Sequence, residues 1–124
     1  MNEQPRQAEL ADEMEAAARR LAESTRSIRT VVSPSDSYAL LGAMRSTVAD
    51  LGQISQQLAR WHDCVVEGVE HVGEDERGDG RGAATAAQAL RQATKALESA
   101  AADIAAAHSA NGVVRWRSGQ DNEQ

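Results

Sequence analysis

The sequence has no phenylalanine, a single cysteine, a single lysine, and only two tryptophans and one tyrosine for aromatics. Each shortage excludes something. One cysteine, Cys64, cannot form an internal disulfide, and the start Met1-Asn2-Glu3-Gln4-Pro5 has neither the basic nor the apolar stretch of a secretory signal. Both point to the cytoplasm. No run approaches the roughly 20 apolar residues of a membrane-spanning helix. A net charge of −6 and a pI near 5.0 leave no excess of clustered cations to neutralise nucleic-acid phosphates or an anionic membrane. The glycines around Gly78 neither follow a strand nor end in Gly-Lys-Ser/Thr, so no phosphate-binding loop is present. With so few aromatics, a bulky globular core is out of reach.

What is abundant is alanine, roughly a fifth of the chain. Alanine is the best helix former because it loses no side-chain entropy, yet it buries little area. The composition therefore predicts an all-α protein of slim, closely packed helices. The longest stretches from Ser33 to Val72. Ser33 suits an N-cap and Pro34 the first helical position, while Asp36 meets the positive end of the helix dipole. Along this helix Met44, Leu51, Leu58 and Val65 repeat at seven, continued by Val72. They are flanked by Leu41, Val48, Ser55 and His62 on one side and Leu40, Thr47, Ile54 and Trp61 on the other. Three adjacent seams predict at least two packing partners.

The flanking helices supply them. Residues 6–31 carry Leu10, Met14, Leu21 and Ile28 on a heptad-like stripe, with acids crowding the first half and arginines the second, as the macrodipole favours, and Glu15 and Arg19 set for an i,i+4 ion pair. Residues 83–110 carry Leu90, Leu97 and Ile104 at seven, beside Ala86, Ala93, Ala100 and Ala107. Alanine on one seam lets helices approach at the short end of the usual spacing of about 8–10 Å. The acidic glycine-rich loop 73–82 separates helices two and three, and Asn111-Gly112 ends the last one. The expected architecture is an antiparallel three-helix bundle, coiled-coil-like, with a long central helix. Residues 1–5 are expected to be disordered and 113–124 to form a tail.

Folding helix three back about the loop is expected to pair Leu90 with Val65, Leu97 with Leu58 and Ile104 with Leu51. Helix one then runs out near Trp61, and the far end of the central helix has only alanines for cover. Trp61, Val65, Val66, Val69 and Val72 are therefore the candidate interface.

Chemistry is harder to find. Glu67, Glu70, His71 and Glu74 share one helix face, but their Glu–His spacing is one or four where a carboxylate-bridged metal pair needs Glu-x-x-His, and no second helix supplies a matching set. No metal or cofactor is expected. His62-Asp63-Cys64 sets three reactive side chains in a row, yet consecutive helical residues point in different directions. No catalytic residue is assigned. His108 complements the C-terminal dipole of its helix, and Trp116 between Arg115 and Arg117 either stacks on a base or folds back on the helices.

Three stretches carry a resemblance: Pro34-Ser35-Asp36-Ser37-Tyr38-Ala39-Leu40-Leu41-Gly42, Gln56-Gln57-Leu58-Ala59-Arg60-Trp61, and Ala106-Ala107-His108. Together they resemble a family of small, uncharacterised helical proteins of actinobacteria, often encoded near plasmid-like or conjugative integrating elements. The resemblance spans about residues 30–110 and implies a genomic neighbourhood, with no catalytic residues to carry over. Secreted helical hairpins of the WXG type are a poorer comparison, because neither turn has Trp-x-Gly and Gly42 stands where their export signal after Tyr38 has an acid.

The sequence thus reads as a non-enzymatic helical interaction or scaffold accessory protein, acting as a homodimer or on a helical protein partner. A nucleic-acid accessory factor using the helix-one arginines and Arg115-Trp116-Arg117 is the alternative.

Overall fold

A computed structural model describes residues 6–27, 33–68 and 81–117. The protein is all-α, with helices α1 (Arg6–Ser24), α2 (Pro34–Val66) and α3 (Gly82–Gly112), and no strand among the described residues. The chain divides into two compact units, Met1–Ser37 and Tyr38–Gln124.

In the first unit, α1 closes at Ser24, short of the expected residue 31. At this end Ser24 Oγ donates to the Leu21 carbonyl at 2.9 Å, and Thr25 Oγ1 donates to Leu21 and Ala22 at 3.1 and 3.3 Å. Ile28 lies outside the described residues. On the exposed surface, Arg19 Nη2 donates to Glu15 at 2.6 Å, the expected i,i+4 pair.

The start of α2 follows the sequence closely. Ser33 Oγ accepts the Asp36 N–H at 3.2 Å, Ser37 N–H reaches the Ser33 carbonyl at 3.1 Å, and Pro34 is the first helical residue. Its end does not. Instead of running to Val72, α2 stops at Val66, and Gly68 takes a left-handed φ of 77°. The Gly68 N–H reaches back three residues to the Val65 carbonyl at 3.0 Å, a tightened last turn that only glycine enters without strain. Val69, Val72 and the loop at 73–80 lie outside the described residues.

In the second unit α2 packs antiparallel against α3, but in a different register from the expected one. A Cβ built on Gly52 would sit 3.6 Å from Leu97 Cβ, one on Gly42 would meet His108, and one on Gly112 would meet Tyr38. Leu97 therefore sits over Gly52 and not over Leu58, a shift of about six residues along α2. The reason is steric. Leucine against leucine would hold the axes apart, whereas leucine over glycine lets the backbones close. That closeness buries Ala59 and Ala87 almost completely.

The contacting face of α3 is a continuous run at alternating spacings of four and three. Ala83, Leu90, Leu97 and Ile104 are partly covered, Ala87 and Thr94 are buried, and Ala101 and His108 are partly covered. The leucine–isoleucine seam is as expected. Its deepest companion is 87/94/101/108, one residue along from the expected alanine seam, although Ala86, Ala93 and Ala100 are also partly covered. Thr94 brings a hydroxyl into this interior, and its Oγ1 donates to the Leu90 carbonyl at 2.9 Å. The core is thin: among the described residues, no large side chain is fully buried.

Candidate helix-docking surface

The packing on α3 decides which side of α2 stays open. Toward α3, α2 turns its seam of smaller residues: Gly52 and Ala59 are buried, and Leu41, Val48, Ser55 and His62 are partly covered. The next seam lies one residue back, about 100° around the helix. It reads Leu40, Met44, Thr47, Leu51, Ile54, Leu58, Trp61 and Val65, an unbroken alternation of four and three with no charged residue. Met44, Ile54, Leu58 and Trp61 are between 39% and 49% exposed. Met44, Ile54 and Leu58 are thus on the outside, with Leu40 and Leu51 partly covered.

Each residue of the expected interface has a distinct place. Trp61 lies on this outer seam, held edge-on to His62 with ring centroids 4.9 Å apart. His62 is fixed in turn by an Nδ1–H bond to the Leu58 carbonyl at 2.8 Å. Val66 is exposed, but Val65 is buried at 9% exposure and belongs to the hairpin's own packing. Val69 and Val72 lie outside the described residues. Met44, Ile54 and Leu58 extend the exposed apolar surface along α2 beyond the end singled out from sequence. Finding it required knowing which seam α3 would take.

Neighbouring polar groups stabilise the pair without converging on a reacting centre. Arg91 Nη1 on α3 donates to both carboxylate oxygens of Asp63 at 3.0 and 3.1 Å, roughly half exposed. Cys64 is a free, exposed thiol. His62, Asp63 and Cys64 therefore point three ways: to their own helix, across to α3, and outward. Among the described residues no group of three or more His, Cys, Asp or Glu could hold a metal ion. Glu67 is described and exposed, while Glu70, His71 and Glu74 lie outside the described residues.

At the opposite end of the pair is a cluster that sequence reasoning missed. The Tyr38 and His108 rings stack with centroids 4.1 Å apart and an interplanar angle of 23°. His108 lies against Gly42, where a Cβ would approach its Nε2 to 3.1 Å, and Tyr38 lies against Gly112, where a Cβ would approach Cε1 to 3.0 Å. Both glycines are seats for rings, and Gly112 is helical, not the left-handed stop expected of it. The signal was present in the sequence as Tyr38 and Gly42 four apart on one helix, with a histidine on another.

No family model, curated protein or solved structure matches the chain. The geometry therefore carries the functional argument. After α3, residues 113–117 leave the helix, and Trp116 is exposed between exposed Arg115 and Arg117. No helix among the described residues is long and apolar enough to cross a membrane.

Proposed function

We propose that the protein is a non-enzymatic helical interaction protein, an accessory or scaffold that works by accepting another helix on the outer seam of α2. One observation carries this reading: α3 takes the small-residue seam and leaves Met44, Ile54, Leu58 and Trp61 at the surface. Burying these four more fully would gain several kcal/mol at about 25 cal/mol per Å², a large addition to a unit whose own core is so thin. The seven positions from Leu40 to Trp61, without a charge, match the a/d face of a coiled-coil partner, and their regular four–three spacing sets the partner's period. The occupant is an amphipathic helix, from a protein partner or from a second copy of the chain. The resemblance to helical proteins encoded near mobile elements is compatible with such a role.

The self-association version can be tested with purified protein. Sedimentation velocity should show an oligomer, and Ile54→Glu with Leu58→Glu should weaken it by at least tenfold while far-UV circular dichroism stays unchanged, since both side chains are already nearly half exposed. Val65→Asp is the wrong probe, because it would unfold the hairpin. If the wild type and the double variant sediment alike at every concentration, the outer seam is not the self-association surface.

A further inference from the structure

We propose a second interaction surface, independent of the α2 seam: α1 pairs antiparallel with α1 of a second copy of the chain, in a register written by its charges. None of the residues of α1 is buried, and Leu10, Met14 and Leu21 are 40–53% exposed. With Ala17 they form a stripe at spacings of four, three and four. A 19-residue helix draws most of its stability from packing such a face.

Charge identifies the occupant. In its first half α1 carries Glu9, Asp12, Glu13 and Glu15, and in its second Arg19 and Arg20, with Arg6 and Glu23 as the exceptions. An identical helix running the other way places the acidic half beside Arg19 and Arg20. Run parallel, like charges would lie side by side.

The register follows from the stripe. Setting Leu10 against the partner's Leu21 puts Met14 against the partner's Ala17, and twofold symmetry repeats both layers. One flank of the stripe then carries Glu13 and Arg20, each immediately before a core residue. In an antiparallel pair these flanking positions face each other, so Glu13 meets the partner's Arg20 and Arg20 meets the partner's Glu13. The other flank carries Ala11 and Ala18, small enough for close approach. One sequence thus supplies matching layers, two ion pairs and a smooth back. A nucleic acid would be repelled by the acidic half, and no single-signed partner suits a helix that carries four acids before Arg19 and Arg20.

Two short helices bury less than the roughly 1,200 Å² typical of stable complexes, so the pairing is reversible and concentration-dependent. The test uses the full chain carrying Ile54→Glu and Leu58→Glu, which silences the α2 seam and separates this proposal from that one. In that background sedimentation should still show a monomer–dimer equilibrium. Glu13→Arg alone and Arg20→Glu alone each replace two attractions with two repulsions and should weaken it roughly tenfold. Mixing the two variants restores both ion pairs, so the mixture should form a heterodimer that neither variant matches alone. The double variant Glu13→Arg, Arg20→Glu should recover the original affinity. Circular dichroism on each variant controls for loss of helix, and wild-type chain without the seam substitutions provides a second background should those destabilise the fold. The proposal is overturned if the chain remains monomeric in both backgrounds up to about 1 mM, well beyond the range expected of such an interface. It is equally overturned if a dimer forms that ignores the charge reversals, or if mixing the single variants restores nothing.

Discussion

Replacing Gly52 with alanine should make the α2–α3 pair more stable, although Gly52 is buried at the closest approach of the two helices. A glycine in such a place invites the opposite expectation, that any added atom would clash. The distances decide. The new Cβ would lie 3.6 Å from Leu97 Cβ, 3.9 Å from the Thr94 carbonyl oxygen and 4.0 Å from Glu98 Cγ, all ordinary contacts. Mid-helix, alanine is favoured over glycine by about 0.8–1.0 kcal/mol. The buried methyl adds at most about 0.8 kcal/mol. The expected gain is therefore about 1–1.5 kcal/mol, or several degrees in Tm for a unit of this size.

Two other glycines supply controls without that gain. Gly42→Ala has the same propensity gain but pushes a methyl to 3.1 Å from His108 Nε2, disturbing a ring stack worth about 0.5–1.5 kcal/mol. It should fall below Gly52→Ala by about 1 kcal/mol. Gly68→Ala meets no atom within 4 Å, yet forces alanine to a φ of 77°, a cost of about 1–2 kcal/mol from the backbone alone. Urea unfolding followed at 222 nm ranks the three variants. A destabilised Gly52→Ala, or a Gly42→Ala as stabilising as Gly52→Ala, would refute the packing described here.

Two further expectations concern single polar contacts. Ser33→Ala removes the acceptor for the Asp36 N–H and should lower the stability of the first turn of α2 by about 1 kcal/mol, read as faster amide hydrogen exchange at residues 35–37. Asp63→Asn weakens the half-exposed bridge to Arg91, so its cost in urea unfolding should stay below about 1 kcal/mol and shrink further at about 1 M salt.

What the sequence revealed and what it hid divide along a physical line. Local rules read correctly: the Ser33 cap, Pro34 at the first position, the Glu15–Arg19 pair and the Leu90–Leu97–Ile104 seam all depend on residues within a turn or two of one another. Helix ends were harder: α1 stops at Ser24 and α2 at Val66, ahead of the left-handed Gly68, although the apolar periodicity runs on past both. Register was not legible from periodicity at all. A heptad seam slides by whole turns without losing its pattern, and only the match of Leu97 to the space above Gly52 selects one position. The Tyr38–His108 stack was hidden for the same reason, since each ring has an ordinary local explanation until its partner helix is placed.

The candidate surface depended on this same choice. Two seams of α2 lie one residue apart, and the expected register gave Leu51, Leu58 and Val65 to the contact with α3. An alanine-rich helix favours the other seam. Ala83, Ala87 and Ala101 on α3 have little reach, so they bury area only if the axes come close, and the axes come close only where α2 offers Gly52, Ser55 and Ala59. The large side chains of α2 are thus displaced outward by the slimness of its partner. Met44, Ile54, Leu58 and Trp61 thereby stay at the surface, and covering them with a second helix would remove from water apolar area that α3 is too slim to reach.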